Sequence, residues 1–137
     1  MRNDNRWVFE SNDPLEACRH RHEFVSYLRG VATPDSDFGA AELVYGELIG
    51  NVVRHARGHI KIVLEWHGGF AELCVEDHGA GFFRNFGLPE NLAANERGML
   101  ENGRGLSIVR ELARAVHVEC DGDGCQVRAT LPVRRAA

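Results

Sequence analysis

The sequence predicts an α+β fold, a two-layer sandwich in which a mixed, mostly antiparallel sheet carries its helices on one face. Three observations carry this expectation. Segments 60–66 and 71–77 alternate apolar and polar residues with a period of two, and a third such run, 125–131, lies near the chain's end. Segments of helical period with recognisable start signals lie between them. The order reads β-α-α-β-β-loop-α-β-β, with no internal repeat and no linker, so a single domain over 1–137 is expected.

Each element has a local reason. Arg6 to Glu10 reads as a short strand. Asp13-Pro14-Leu15-Glu16 opens a helix with an N-cap aspartate, proline at the first helical position and glutamate at the third. Leu15, Cys18, Val25 and Leu28 supply its apolar stripe, and Gly30 suits its stop. Thr33-Pro34 predicts the start of a second, longer helix running to about Ala56. In the strands that follow, Ile60, Ile62, Leu64 and Trp66 share one face, as do Ala71, Leu73 and Val75, with His67-Gly-Gly69 turning between them. From His78 to about Asn102 the pattern dissolves, which predicts a functional loop. Leu106, Val109, Leu112, Ala113 and Val116 define an amphipathic helix, and a hairpin closes the fold with Cys125, Val127, Ala129 and Leu131 alternating.

Composition removes several function classes. The 137 residues are 44% apolar, enough for one sizeable core and too few for two domains. No apolar stretch is long enough to cross a bilayer and the start resembles no signal peptide, so a cytoplasmic location with no membrane association is expected. A net charge of −4 argues against direct nucleic-acid binding. Among sixteen basic residues only Lys61 is a lysine, and it sits inside a strand pattern, which closes the P-loop route to nucleotide binding. Of the four cysteines, Cys120 and Cys125 flank Asp121-Gly-Asp-Gly124. A glycine-rich hairpin turn with the cysteines as small apolar strand residues is the plainer expectation there, ahead of a metal or disulfide. The seven histidines form no ligand set by spacing.

Three segments carry chemistry. In the second helix Glu47, Asn51 and His55 recur at i, i+4 and i+8, a polar stripe with Leu43 on the same line and Leu48 and Val52 alongside. Such a stripe can supply a base and a hard-cation oxygen ligand, although by itself it reads first as a solvated helix face. In Leu73-Cys-Val-Glu-Asp-His-Gly-Ala-Gly81, alternation places Asp77 on the apolar face with Leu73 and Val75, where a carboxylate needs a donor. An adenine amino group would serve, and Gly79 and Gly81 let the backbone approach a flat ring. Asn102-Gly103-Arg-Gly105-Leu106 places glycines at a helix start, where free amides suit phosphate. Neither glycine segment matches GxGxxG, so a dinucleotide fold is not supported.

Glu47-Leu-Ile-Gly-Asn51-Val-Val-Arg54-His55-Ala56 resembles the N box of the GHKL ATPases. Asp77-His-Gly-Ala-Gly81-Phe82 is similar to their G1 box, and Gly103-Arg104-Gly105-Leu106 to their G2 box. Order, length and the long G1–G2 segment look most like the anti-sigma-factor serine/threonine protein kinases within that group, which share the histidine-kinase-like ATPase fold. The resemblance implies ATP and Mg²⁺. Asn51 would bind the metal, Asp77 would read adenine, and Gly79, Gly81, Gly103, Arg104, Gly105 and Leu106 would line the nucleotide, with Arg54 and His55 completing the N-box contribution. Glu47 would be the general base, residues 78–102 the lid, and Arg84, Arg97 or Arg104 a partner for the outer phosphate. The implied partners are a STAS-type antagonist protein and a sigma factor or similar regulator, with room for a homodimer. An ATP-binding module that sequesters a partner without transfer, and a histidine-kinase catalytic domain, are the alternatives. Phe83 departs from the pattern, because the subgroup often carries an acidic residue there.

Overall fold

A computed structural model of the chain describes residues 2–3, 5–55, 58–77, 107–121 and 124–136. In chain order the elements are β1 (Arg2–Asn3), β2 (Arg6–Ser11), α1 (Pro14–Arg19), α2 (Arg21–Val31), α3 (Phe38–His55), β3 (Ile60–His67), β4 (Phe70–Asp77), β5 (Ala115–Asp121) and β6 (Gly124–Arg134). A further helical stretch spans 107–112. The strands form one six-stranded sheet in the order β1-β2-β3-β4-β6-β5. Every pairing among the described strands is antiparallel.

The period-two pattern becomes a core with two unlike sheet faces. Ile60, Ile62, Leu64, Ala71, Leu73, Val75, Val127, Ala129 and Leu131 are all fully buried, and they cluster with Ala17, Phe24, Tyr27, Leu28, Val44, Leu48 and Val52 from the helices. Burying each large apolar side chain contributes about 1.5–3 kcal/mol, so this face holds the two layers together. The alternate positions, among them Lys61, Glu65, Glu72, Glu76 and Arg128, face away from the helices. Aromatic contacts tie the helices to the sheet. Trp7 of β2 meets the Phe24 ring edge-on at 5.7 Å, and Phe24 stacks on Tyr45 of α3 at 4.5 Å. The Tyr45 hydroxyl donates to the Ala17 carbonyl at 2.6 Å, and burial holds that phenol well above its ordinary pKa.

The β3–β4 hairpin turns at Gly68 and Gly69, with His67 paired to Phe70 and with φ of 60° and 84° that suit glycine. The β5–β6 hairpin pairs Asp121 with Gly124 as the glycine-rich turn requires.

Four local expectations are corrected. The first helix divides at His20, so Leu15 and Cys18 are exposed and the buried set is Ala17, Phe24, Val25, Tyr27 and Leu28. The cause is local: the His20 amide turns to the Ala17 carbonyl at 3.3 Å, and its ring Nδ1 lies 2.9 Å from the Glu16 carbonyl oxygen that a continuous helix would use. Gly30 is not the stop, because α2 continues to Val31 and ends on extended Ala32. Thr33-Pro34 does not start the long helix. Residues 33–36 form a turn with the Ser36 amide on the Thr33 carbonyl, and Asp37 Oδ1 then caps α3 by accepting from the Ala40 amide at 3.0 Å. Val116 lies in β5 opposite Ala129 rather than on the preceding helix, since the Arg114 amide has already joined the sheet at the Thr130 carbonyl.

The cysteines also differ from expectation. Cys125 is disulfide-bonded, and the register sets Cys120 directly opposite it. Cys74 does act as a small buried strand residue, with Gln126 Nε2 at 2.8 Å from its sulfur and burial raising its thiol pKa.

Candidate functional site

The site begins on α3. Its apolar positions Val44, Leu48 and Val52 press into the core, which carries the neighbouring polar line progressively inward. Leu43 at the start of that line is 46% exposed, Glu47 one turn later is half-buried, and Asn51 after another turn is 0% exposed. The stripe is therefore not a solvated face throughout; it descends from solvent to core. Glu47 stands at the boundary between solvent and core, with its backbone held in the packed helix.

The second part is Asp77, the last residue of β4. It sits where alternation puts it, in line with Ala71, Leu73 and Val75, and it is 1% exposed. Its neighbours across the sheet on this face are Ile60 of β3 and Cys125 of β6, both buried. Asn51 and Asp77 are the two buried polar or charged side chains among the described residues. Both belong to elements in contact, since α3 packs on β4 and β6. Desolvating a carboxylate among apolar groups is costly, and it is retained where a donor compensates. Asn51 presents an amide, both donor and oxygen acceptor, in a layer otherwise built from Leu, Ile and Val.

A neighbouring contact carried no sequence signal. Arg21 of α2 reaches across to α3, with Nε 3.4 Å from Glu42 Oε2. A Cβ built on Gly46 would come within 3.0 Å of the Arg21 guanidinium, so the glycine leaves room for it. This sets a cation beside the helix one residue before Glu47. Arg21 and Gly46 lie far apart in sequence, and only the α2–α3 packing brings them together.

Of the remaining predicted residues, Arg54 and His55 lie on α3 with side chains outside the described set. Gly79, Gly81, Gly103, Arg104, Gly105 and Leu106, the lid over 78–102, and Arg84 and Arg97 lie outside the described residues. Among the described residues no group of three or more His, Cys, Asp or Glu is arranged to hold a metal. None of the described helices is long and apolar enough to cross a membrane.

Fold and site together define a two-layer α+β architecture: an antiparallel sheet under a long helix, with one buried amide on the helix and one buried carboxylate on the sheet. Residues 11–131 match the histidine kinase-like ATPase domain family. The chain belongs to that family and is an ATP-binding domain of the GHKL type. A comparison with curated proteins found no match.

Proposed function

We propose that the protein is an ATP-dependent serine/threonine kinase of the anti-sigma-factor type. It would phosphorylate a STAS-type antagonist and control a sigma factor or similar regulator by partner switching. The observation that carries this reading is the gradient along α3, with a half-buried Glu47 one turn from a fully buried Asn51.

The residues present fit ATP with Mg²⁺. Asp77 accepts a hydrogen bond from the adenine amino group, a charge-assisted bond worth about 1.5–3 kcal/mol, at a position flanked across the sheet by Ile60 and Cys125. Asn51 would hold Mg²⁺ through its neutral amide oxygen, a hard ligand suited to that ion. When bound, the metal neutralises charge on the phosphates. By family resemblance Gly79 and Gly81 would approach the base, and Gly103, Arg104, Gly105 and Leu106 would offer amides and one cation to the phosphates. Arg54 and His55 follow Asn51 toward the same end of α3.

Glu47 takes the proton from the attacking serine or threonine hydroxyl of the partner. The hydroxyl oxygen bonds to the γ-phosphorus while the bond to the β–γ bridging oxygen breaks, so phosphoprotein and ADP are the products. A positioned base contributes about 10²- to 10⁴-fold to such a transfer. Phosphate on the antagonist then changes which partner is held, by adding charge at the contact.

The test uses labelled ATP and a candidate STAS-type antagonist. Label is expected on a serine or threonine of the antagonist, lost in Glu47→Gln with ATP binding retained, and lost together with Mg²⁺-dependent binding in Asn51→Ala. ATP binding without transfer to any antagonist would instead indicate a sequestering module. Label on His20 or His22 would indicate a histidine-kinase catalytic domain.

A further inference from the structure

The end of the sheet remote from Asp77 carries three arginines stacked on aromatic rings. Arg114, just before β5, lies with its guanidinium carbon 3.9 Å from the Phe70 centroid, and Arg134 of β6 approaches the same ring at 5.4 Å. Arg135 lies 5.8 Å from the Trp66 ring. All three distances are within cation–π range. The hairpin turn brings them together: Phe70 pairs with Arg134, and the Arg135 amide donates to the Gly69 carbonyl at 2.9 Å.

None of the three is in an ion pair with a carboxylate among the described residues, whose ion pairs involve Arg21, His20, His59 and His67. Arg134 lies within electrostatic reach of Asp35, whose carboxyl the Thr33 hydroxyl and its own backbone amide hold below the ordinary carboxylate range, with a smaller contribution from Arg134. Arg114 and Arg134 are exposed and Arg135 is half-buried. Stacking occupies the faces of these guanidinium groups and leaves N–H edges for bidentate carboxylate recognition. Eight residues of β4 separate this end from Asp77, about 23 Å at the usual strand rise, so the cluster is not part of the nucleotide site.

We propose that this arginine–aromatic end is a docking surface for an acidic polypeptide segment of a partner protein. Charge complementarity selects the occupant. The chain carries a net charge of −4, and on the adjoining outer sheet face the cross-strand pair of Glu65 and Glu72 comes before Lys61, Glu76 and Arg128, so a long polyanion such as nucleic acid meets repulsion next to the cluster. A short run of carboxylates matches three closely grouped guanidinium groups without entering that field.

The test is a titration of the full chain with a fluorescein-labelled oligo-glutamate peptide at low ionic strength, read by anisotropy. Wild type is expected to bind, and the triple variant Arg114→Gln/Arg134→Gln/Arg135→Gln to bind about tenfold more weakly. Arg19→Gln, on α1 outside the cluster, should change affinity less than about twofold. The triple lysine variant keeps the charge and loses the planar fork, so a weakening of about threefold is expected. Amide-shift mapping on wild type, which needs no folded variant, should centre the response on 66–70, 114 and 134–135. Absence of peptide binding, equal weakening by Arg19→Gln, shifts centred elsewhere, or tighter binding of a single-stranded oligonucleotide of equal charge would each overturn the proposal.

Discussion

The two faces of the sheet treat carboxylates in opposite ways. On the outer face Glu65, Glu72 and Glu76 stand at the edge of solvent, with Gln126 Nε2 3.2 Å from Glu76 and His67 3.6 Å from Glu72. They retain partial contact with water, and their removal should cost little. One position further along β4, on the helix face, Asp77 is 1% exposed among apolar neighbours. Adjacent residues on one strand thus differ by one step of the pleat and by the depth of their burial. An outer-face carboxylate can be explained by solubility, whereas Asp77 cannot.

The contrast has its largest expected consequence at Glu47, the carboxylate between these extremes. Glu47→Gln should lower phosphotransfer by about 10²- to 10⁴-fold, while Glu76→Gln leaves it within about twofold; single-turnover transfer to the antagonist measures both. Equal effects would remove any distinction between the faces. Next in size is the packing that carries the polar line inward. Leu48→Ala should destabilise by about 2–5 kcal/mol in denaturant unfolding. Leu43→Ala, at the exposed start of the same helix line, should stay within about 0.5 kcal/mol.

A smaller effect is expected at Tyr45. Its hydroxyl bonds the Ala17 carbonyl, and Tyr45→Phe should cost about 1 kcal/mol near neutral pH. Burial raises the folded-state pKa of this phenol above its unfolded value of about 10. The stability it contributes is therefore fully present below about pH 10 and is lost as pH rises from there toward the folded value. Tyr45→Phe should flatten that alkaline decline in a series of unfolding curves, and an unchanged slope would remove Tyr45 as its source.

How much of this was legible depends on the range of the interactions. Asp77 could be placed from alternation alone, because a strand's period is a local property and the helix-covered face was already marked by Leu73 and Val75. The gradient from Leu43 to Asn51 was half legible: spacing puts the residues on one line, but only packing against the sheet decides how deep each lies. The division at His20 was hidden because a histidine ring competing for one carbonyl leaves no trace in apolar periodicity. Thr33-Pro34 and Asp37 both carry start chemistry, and the turn joining Thr33 to Ser36 decided between them. Arg21 over Gly46 and the disulfide at Cys125 depend on contacts between distant segments or on pairing across a hairpin, which spacing alone does not select. The base role proposed for Glu47 rests on family resemblance, because its place on the helix line suits a solvated face as well.

The most direct test of the central claim compares ATP with purine riboside triphosphate, which lacks the 6-amino group, by calorimetric titration in the presence of Mg²⁺. Wild type should prefer ATP by about 10- to 100-fold, the worth of one charge-assisted hydrogen bond. Asp77→Asn should bind ATP correspondingly more weakly and hold the two nucleotides within about threefold, while Glu76→Gln keeps the full preference. If Asp77→Asn binds ATP as wild type does, or retains the undiminished preference, the buried carboxylate is not the adenine reader and the account of the site is wrong.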